Sequence, residues 1–303
     1  MSRHPGGRAS PVSGQPGDSD GPVTGGSGLR LHYVTKGPPE APLLLLLHGF
    51  PQTWYCWRHL LRELGSSFQV VALDLPGCGA SEKPPGRDSY QLELLRDGSA
   101  APAKCTLVGH DWGGLLAWEV ACSHPALVQS LVLMAAPQRG AMAAFSLCHP
   151  SQLLRSSYAF LFQLPWLPEL LLSLADFELV RTVMMSPWLG VQNPAQRLTE
   201  EDLEVYLYSL SQPGGLSPPI HYYRNLFRDS PIPREPPPPP TLLLWGSHDA
   251  FLDPRLVPVL SHRLRPGASI HLLPGASHWL PEDQPQALAH ILRTFLAGGH
   301  QHP

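Results

Sequence analysis

Residues 107–114 read LVGHDWGG, an apolar strand that runs into a turn crowded with glycine. Gly109-His110-Asp111-Trp112-Gly113 has the outline of a nucleophile elbow, G-x-S-x-G, with aspartate in the place of serine. Such a turn puts the nucleophile on strained backbone and leaves no room for side chains at its flanks, which is why glycine stands on both sides. An aspartate that only capped the helix starting at Gly113 would account for Asp111 but not for the glycines around it.

The text on either side of the turn supplies the rest of a fold. Apolar runs at 29–34 (LRLHYV), 43–47 (LLLLL), 68–74 (FQVVALD), 105–109 (CTLVG) and 130–136 (SLVLMAA) alternate with helical text near 55–64 and from Gly113. Continuous apolar strands alternating with helices predict an α/β fold, a mostly parallel sheet covered on both faces. From 139 to 230 the sequence becomes Leu-, Phe-, Tyr- and Trp-rich helical stretches broken by proline, which predicts a helical lid inserted into a core of 29–138 and 241–303. Strands resume at 241–246 (TLLLWG) and 269–275 (SIHLLPG), and a last helix spans about 285–297. Residues 1–28 are rich in Gly, Pro and Ser and are expected to stay disordered, with the fold starting near Leu29. The proline run ending at Pro240 lies in a Pro-rich linker, 231–240, and reads as a solvated polyproline II spacer rather than an SH3-type ligand.

Composition excludes several functions. A chain of 303 residues with 15% charged residues and net charge −3 offers no basic surface for nucleic acid. Its five cysteines are odd in number and lack a C-x-x-C pair, so buried free thiols are expected. No run reaches the roughly 18 to 20 apolar residues of a membrane span, and no signal peptide is legible in the first 28 residues. These features place the chain in the cytoplasm or peripherally on intracellular membranes.

The candidate site is assembled from strand ends. His48-Gly49-Phe50-Pro51 follows the 43–47 strand, where a backbone N–H is usually supplied to an oxyanion hole; Phe50 and Trp112 are the expected donors. Asp249 follows the strand at 241–246 and His278 the strand at 269–273, which gives the order nucleophile, acid, histidine. Asp253, Glu282 and Asp283 are rival acids for His278; Asp249 is preferred because it comes sooner after its strand. Gln138, after the strand at 130–136, is no carboxylate and removes a further position for the acid. Among fifteen histidines any one is weak evidence, but the conjunction is strong. His48, Gly49, Pro51, His110 and Trp279 complete the expected substrate pocket. The histidines lack metal-ligand spacing, so neither a metal nor a cofactor is expected.

Aspartate also selects the chemistry. A serine alkoxide attacking an sp3 carbon would form an ether, which water cannot hydrolyse. A carboxylate forms an ester whose carbonyl can be attacked by water activated by His278. The favoured substrates therefore carry an electrophilic alkyl carbon with a leaving oxygen or halide.

From about Leu29 to 297, through HGFPQTWYCW, GHDWGG, FLFQLPWLPE, QPGGL, YYRNLFR, LLLWGSHD and SHWLP, the chain resembles the α/β-hydrolase-fold epoxide hydrolases, above all their vertebrate epoxide hydrolase 3 and 4 subgroup. The resemblance implies hydrolysis of lipophilic, fatty-acid-type epoxides to vicinal diols, with two lid tyrosines as acids at the matching positions Tyr158 and Tyr223. Haloalkane dehalogenases share the aspartate nucleophile, but the H-G-F-P and YYRN motifs resemble the epoxide branch. Two departures stand out. The stretch 90–105, YQLELLRDGSAAPAKC, is shorter than the family's helix and broken by DGSAAPA, which is expected to lower stability and raises the alternative of a catalytically impaired relative. The subgroup's N-terminal membrane anchor has no match in this sequence, which leaves peripheral membrane contact as the expectation.

Overall fold

The computed structural model describes residues 19–24, 28–90, 104–227 and 238–298. Eight strands form one sheet: β1 (Ser19–Thr24), β2 (Arg30–Lys36), β3 (Leu43–Leu47), β4 (Gln69–Leu73), β5 (Cys105–His110), β6 (Val128–Met134), β7 (Thr241–Gly246) and β8 (Ser269–Leu273). Their spatial order is β1-β2-β4-β3-β5-β6-β7-β8. The first two pairings are antiparallel and every later one is parallel. All six residues of β5 and of β7 are buried, which is why both read as unbroken apolar or small-residue text. Each fully buried leucine there, such as Leu243, contributes about 2 kcal/mol of transfer free energy.

The expected α/β architecture is present, and its parallel strands carry the site on their C-terminal ends. Helix α1 (Arg58–Leu64) follows a 3-10 turn at Trp54–Trp57, and α2 (Trp112–Ser123) packs against β3, β5 and β6. Between β6 and β7 the described residues hold seven α-helices and no strand: α3 (Arg139–Cys148), α4 (Pro150–Arg155), α5 (Ser157–Leu161), α6 (Leu167–Ser173), α7 (Glu178–Met185), α8 (Glu200–Ser211) and α9 (Ser217–Leu226). Helices α10 (Leu256–Ser261), α11 (Leu280–Asp283) and α12 (Pro285–Gly298) complete the core. No helix among the described residues is long and apolar enough to cross a membrane.

Polar ties hold the inserted helices to the core. Thr199 and Asp202 form a reciprocal capping box at the start of α8. Asp202 also accepts from Tyr55 Oη at 3.0 Å and pairs with Arg58 at 3.0 Å. Arg58 in turn reaches buried Glu282 at 2.7 Å, and Tyr206 of α8 donates to the same carboxylate. Burial pushes the Glu282 carboxyl up, and the neighbouring guanidinium works against that rise.

Three expectations need correction. The N-terminal segment is not structureless throughout, because Ser19–Thr24 adds β1 to the sheet, in register from Ser19 opposite Thr35 to Thr24 opposite Arg30. The ladder is made of main-chain groups, so a strand can cover the otherwise open edge of β2 without an apolar side chain to announce it. Pro22 is tolerated there because β1 is itself an edge strand. The other expected disordered residues, 1–18 and 25–27, lie outside the described residues, as does the broken helix at 91–103 and most of the Pro-rich linker. The linker's last residues are not a solvated spacer: Pro238 and Pro239 are buried, and Leu131 N–H donates to Pro240 O at 2.9 Å. Finally, Cys56, Cys105 and Cys122 are buried free thiols as expected, but Cys148 is exposed.

Candidate active site

β5 ends at His110, and the next residue turns the chain sharply into α2. Asp111 has φ 52° and ψ −121°, a conformation that costs on the order of 1–3 kcal/mol for a residue with a Cβ. Two bonds hold it there: Asp111 N–H donates to Met134 O at 3.1 Å, and Leu115 N–H donates to Asp111 O at 3.0 Å. The glycines are required by close approach. A Cβ on Gly113 would lie 2.2 Å from Leu47 O, and one on Gly49 would lie 2.4 Å from Asp111 Cβ and Oδ1.

The side chain of Asp111 does not cap α2. Its Oδ1 accepts from Phe50 N–H at 3.0 Å, while Oδ2 faces His278 Nε2 at 3.5 Å. On the other side of the ring, His278 Nδ1–H donates to Asp249 Oδ2 at 2.9 Å. Asp249 is itself fixed, because its Oδ1 accepts from Phe251 N–H at 2.9 Å and Leu252 N–H at 2.8 Å. Each rival acid is engaged elsewhere: Asp253 with Arg255, Glu282 with Arg58 and Tyr206, and Asp283 with the backbone N–H groups of Ser277 and Asn193.

Charge coupling follows from this geometry. Burial disfavours an imidazolium at His278, but the Asp249 and Asp111 carboxylates together outweigh it and push the ring up to about 10. Burial also works against an ionised Asp111; the adjoining His278 and the Phe50 N–H more than compensate and hold its carboxyl below the usual value. Asp249, His278 and Asp111 thus form one charge-coupled row.

The two expected tyrosines come from different helices, Tyr158 from α5 and Tyr223 from α9. Their rings lie 5.7 Å apart, edge to face. Burial raises both phenols well above the ordinary tyrosine value and the Asp111 charge adds to the rise, so both stay protonated. Around them stand Phe50, Phe162 and Trp112, with centroids 5.7, 5.0 and 4.8 Å from the Tyr223 ring.

A family model described as the alpha/beta hydrolase family matches residues 44–291. Epoxide hydrolase 3 of Xenopus tropicalis is 45% identical over 276 residues, 89% of this chain and 75% of its own length. Human epoxide hydrolase 4 is 44% identical over 89% of this chain and 76% of its own length. This chain belongs to the α/β-hydrolase family, among its epoxide hydrolases. A solved epoxide hydrolase of Bacillus megaterium in complex with an inhibitor superimposes with a TM-score of 0.81 at 29% identity, covering 91% of this chain and all of that one.

In this epoxide hydrolase several expected pocket residues support the site from behind. His48 is fully buried: its Nε2 accepts from Leu75 N–H at 3.0 Å, so Nδ1 carries the proton and donates to Gly49 O at 2.8 Å. That pair shapes the loop that aims Phe50 N–H at Asp111. His110 donates from Nε2 to His278 O at 2.8 Å, and burial with the neighbouring His278 charge lowers its pKa to about 4. Trp279 stands against the His278 ring at 5.3 Å and donates to Leu189 O of the inserted segment at 2.7 Å. Pro51, also buried, follows Phe50 through a cis peptide. Phe162 and Phe251 were not singled out from the sequence. Phe251 sits two residues beyond Asp249, 5.2 Å from the His278 ring, just past the end of the LLLWGSHD motif. Among the described residues no cluster of three or more His, Cys, Asp or Glu is arranged to hold a metal.

Proposed function

We propose that this chain hydrolyses lipophilic epoxides to vicinal diols through an ester on Asp111. The observation that carries the reading is a single carboxylate held by Phe50 N–H and facing His278, with the paired rings of Tyr158 and Tyr223 beside it. Oδ2 attacks an epoxide carbon, the C–O bond breaks, and a tyrosine proton passes to the opening alkoxide. Oδ1, already on Phe50 N–H, becomes the ester carbonyl. Forming the ester removes the Asp111 charge, one of the two that favour a protonated His278, so the ring gives its proton up through solvent to the tyrosinate left by ring opening and can then take one from water. Water adds to the ester carbonyl, Phe50 N–H steadies the oxyanion, and collapse releases the diol and restores the carboxylate. The bonds that join Asp111, His278 and Asp249 support a working enzyme over an impaired relative. Two phenolic acids favour epoxide opening over dehalogenation, because a halide leaves without a proton.

The aromatic walls of Phe50, Trp112, Phe162 and Phe251 support an apolar substrate. A solved mutant of the Bacillus megaterium enzyme holds its product, a naphthyloxy-propanediol, and the corresponding naphthyl glycidyl ether is a direct probe here. The test is a single turnover in heavy-oxygen water with enzyme in excess. The first diol should carry no label, because its new oxygen comes from Asp111, and the peptide containing Asp111 should gain it. Labelled diol with an unlabelled peptide would mean that Asp111 acts as a base on water, and the ester route would be lost.

The acid assignment predicts that Tyr158→Phe and Tyr223→Phe each slow ester formation by about 10-fold to 100-fold, and that the double change nearly eliminates it. Phenylalanine keeps the ring packing, so a fall in melting temperature without a fall in rate would reduce both tyrosines to packing residues. The inserted segment also presents Leu154, Phe160, Trp166 and Trp188 to solvent, which supports peripheral contact of a cytoplasmic chain with membranes. Failure to float with neutral phospholipid vesicles would remove that part of the reading.

A further inference from the structure

Tyr158 and Tyr223 work as a pair only if the helices that carry them keep one separation. Helix α5 has five residues, and α9 ends three residues after Tyr223, so both leave last-turn carbonyls without an intrahelical donor. At α9, Phe227 N–H donates to Asn225 O rather than to Tyr223 O. At α5, Gln163 N–H donates to Phe160 O at 3.1 Å rather than to Ala159 O. One side chain takes up both unsatisfied carbonyls: Gln163 Nε2 donates to Ala159 O at 3.0 Å and to Tyr223 O at 2.8 Å. An amide nitrogen has two N–H donors, and these bonds use both. They land on the residue after one phenol and on the main chain of the other. Arg224 strengthens the same joint, donating from Nε to Phe162 O at 3.1 Å and from Nη2 to Leu164 O at 2.7 Å, with Glu169 at 2.7 Å holding the guanidinium.

We infer that Gln163 is a positioning residue for epoxide opening: by bridging Ala159 O and Tyr223 O it sets the spacing at which the two phenols converge over Asp111. The inference rests on the acid role proposed for the tyrosines. Misplacing a proton donor by a fraction of an ångström weakens its bond to the developing alkoxide, while the ester-hydrolysis step, which does not use the phenols, is untouched.

Rapid-quench kinetics with naphthyl glycidyl ether, read by intact-protein mass, separates ester formation from ester hydrolysis. Gln163→Met keeps the volume and removes both donors; it should slow ester formation by about 10-fold or more and leave hydrolysis within about twofold. Gln163→Asn keeps the donors on a shorter stem that reaches one carbonyl, and should fall between Gln163→Met and the native chain; it carries the same comparison if Gln163→Met does not fold. On a Tyr223→Phe background, Gln163→Met should add less than about twofold, because the phenol whose spacing from Tyr158 it sets is already gone. Equal slowing of both steps, a loss that multiplies with that of Tyr223→Phe, or a native rate of ester formation in Gln163→Met would each overturn the inference. Native-rate ester formation in Tyr223→Phe alone would instead strike the acid role of the tyrosines, and the two failures are thereby told apart.

Discussion

Asp111→Ala is expected to reduce turnover by about 10⁵-fold or more, since no other group is placed to form the ester. The fold should survive. The turn at 109–114 depends on the close approach of Gly113 to Leu47 O and on the backbone bond from Asp111 to Met134, neither of which involves the carboxylate. Alanine retains the positive φ at a cost on the order of 1–3 kcal/mol shared with the native residue, so the melting temperature should move little. Asp111→Asn fits the turn equally well, but a slowly deamidating asparagine would regain activity, and the mass of the protein should be followed alongside the rate. Diol formation by Asp111→Ala at a substantial fraction of the native rate would remove Asp111 from the mechanism.

His278→Gln is expected to divide the reaction. Ester formation needs Asp111 and the phenols, whereas hydrolysis needs a base, so an adduct should accumulate and its breakdown slow on the order of 10³-fold to 10⁴-fold. Removing the ring also removes a counter-charge from Asp111, and alkaline buffer keeps the carboxylate ionised without it. The native enzyme should approach the same behaviour as pH falls. Asp111 is held below the usual carboxyl value and stays charged, so ester formation continues. Once the ester exists, His278 has only Asp249 to oppose burial, and acid protonates the ring and withdraws the base. The sign is definite: ester accumulates on acidification and clears on alkalinisation. Consumption of epoxide by His278→Gln with no change in protein mass would show that the histidine is not the base.

Much of this was legible because it is local. In LVGHDWGG the apolar run, the glycines and the acid specify strand, turn and candidate nucleophile within eight residues, and the glycine requirement is backbone sterics that holds wherever the segment sits. The buried strands β5 and β7 announced themselves for a similar reason, since burial on both faces demands continuous apolar text. Strand β1 was not legible, because SDGPVT has neither a continuous nor an alternating apolar pattern, and the main-chain pairing with β2 does not require one.

Which partners the polar groups take was a different kind of question. Four carboxylates follow β7 and β8, and spacing ranked Asp249 first, but only the packed loops show Asp253, Glu282 and Asp283 spent on other donors. His48 and His110 looked like pocket residues beside the elbow and turned out to carry backbone bonds behind it. Gln163 stands inside the FLFQLPWLPE motif, but its bridging contacts were not legible there, since its two acceptors, Ala159 O and Tyr223 O, are 64 residues apart. Sequence by itself determined the residues that must be on strained or buried backbone, because those constraints act within a few residues. Tertiary structure decided which acid meets His278, which backbone groups His48 and His110 bond and where Gln163 finds its two acceptors, because a hydrogen bond exists only where the fold brings donor and acceptor within about 3 Å.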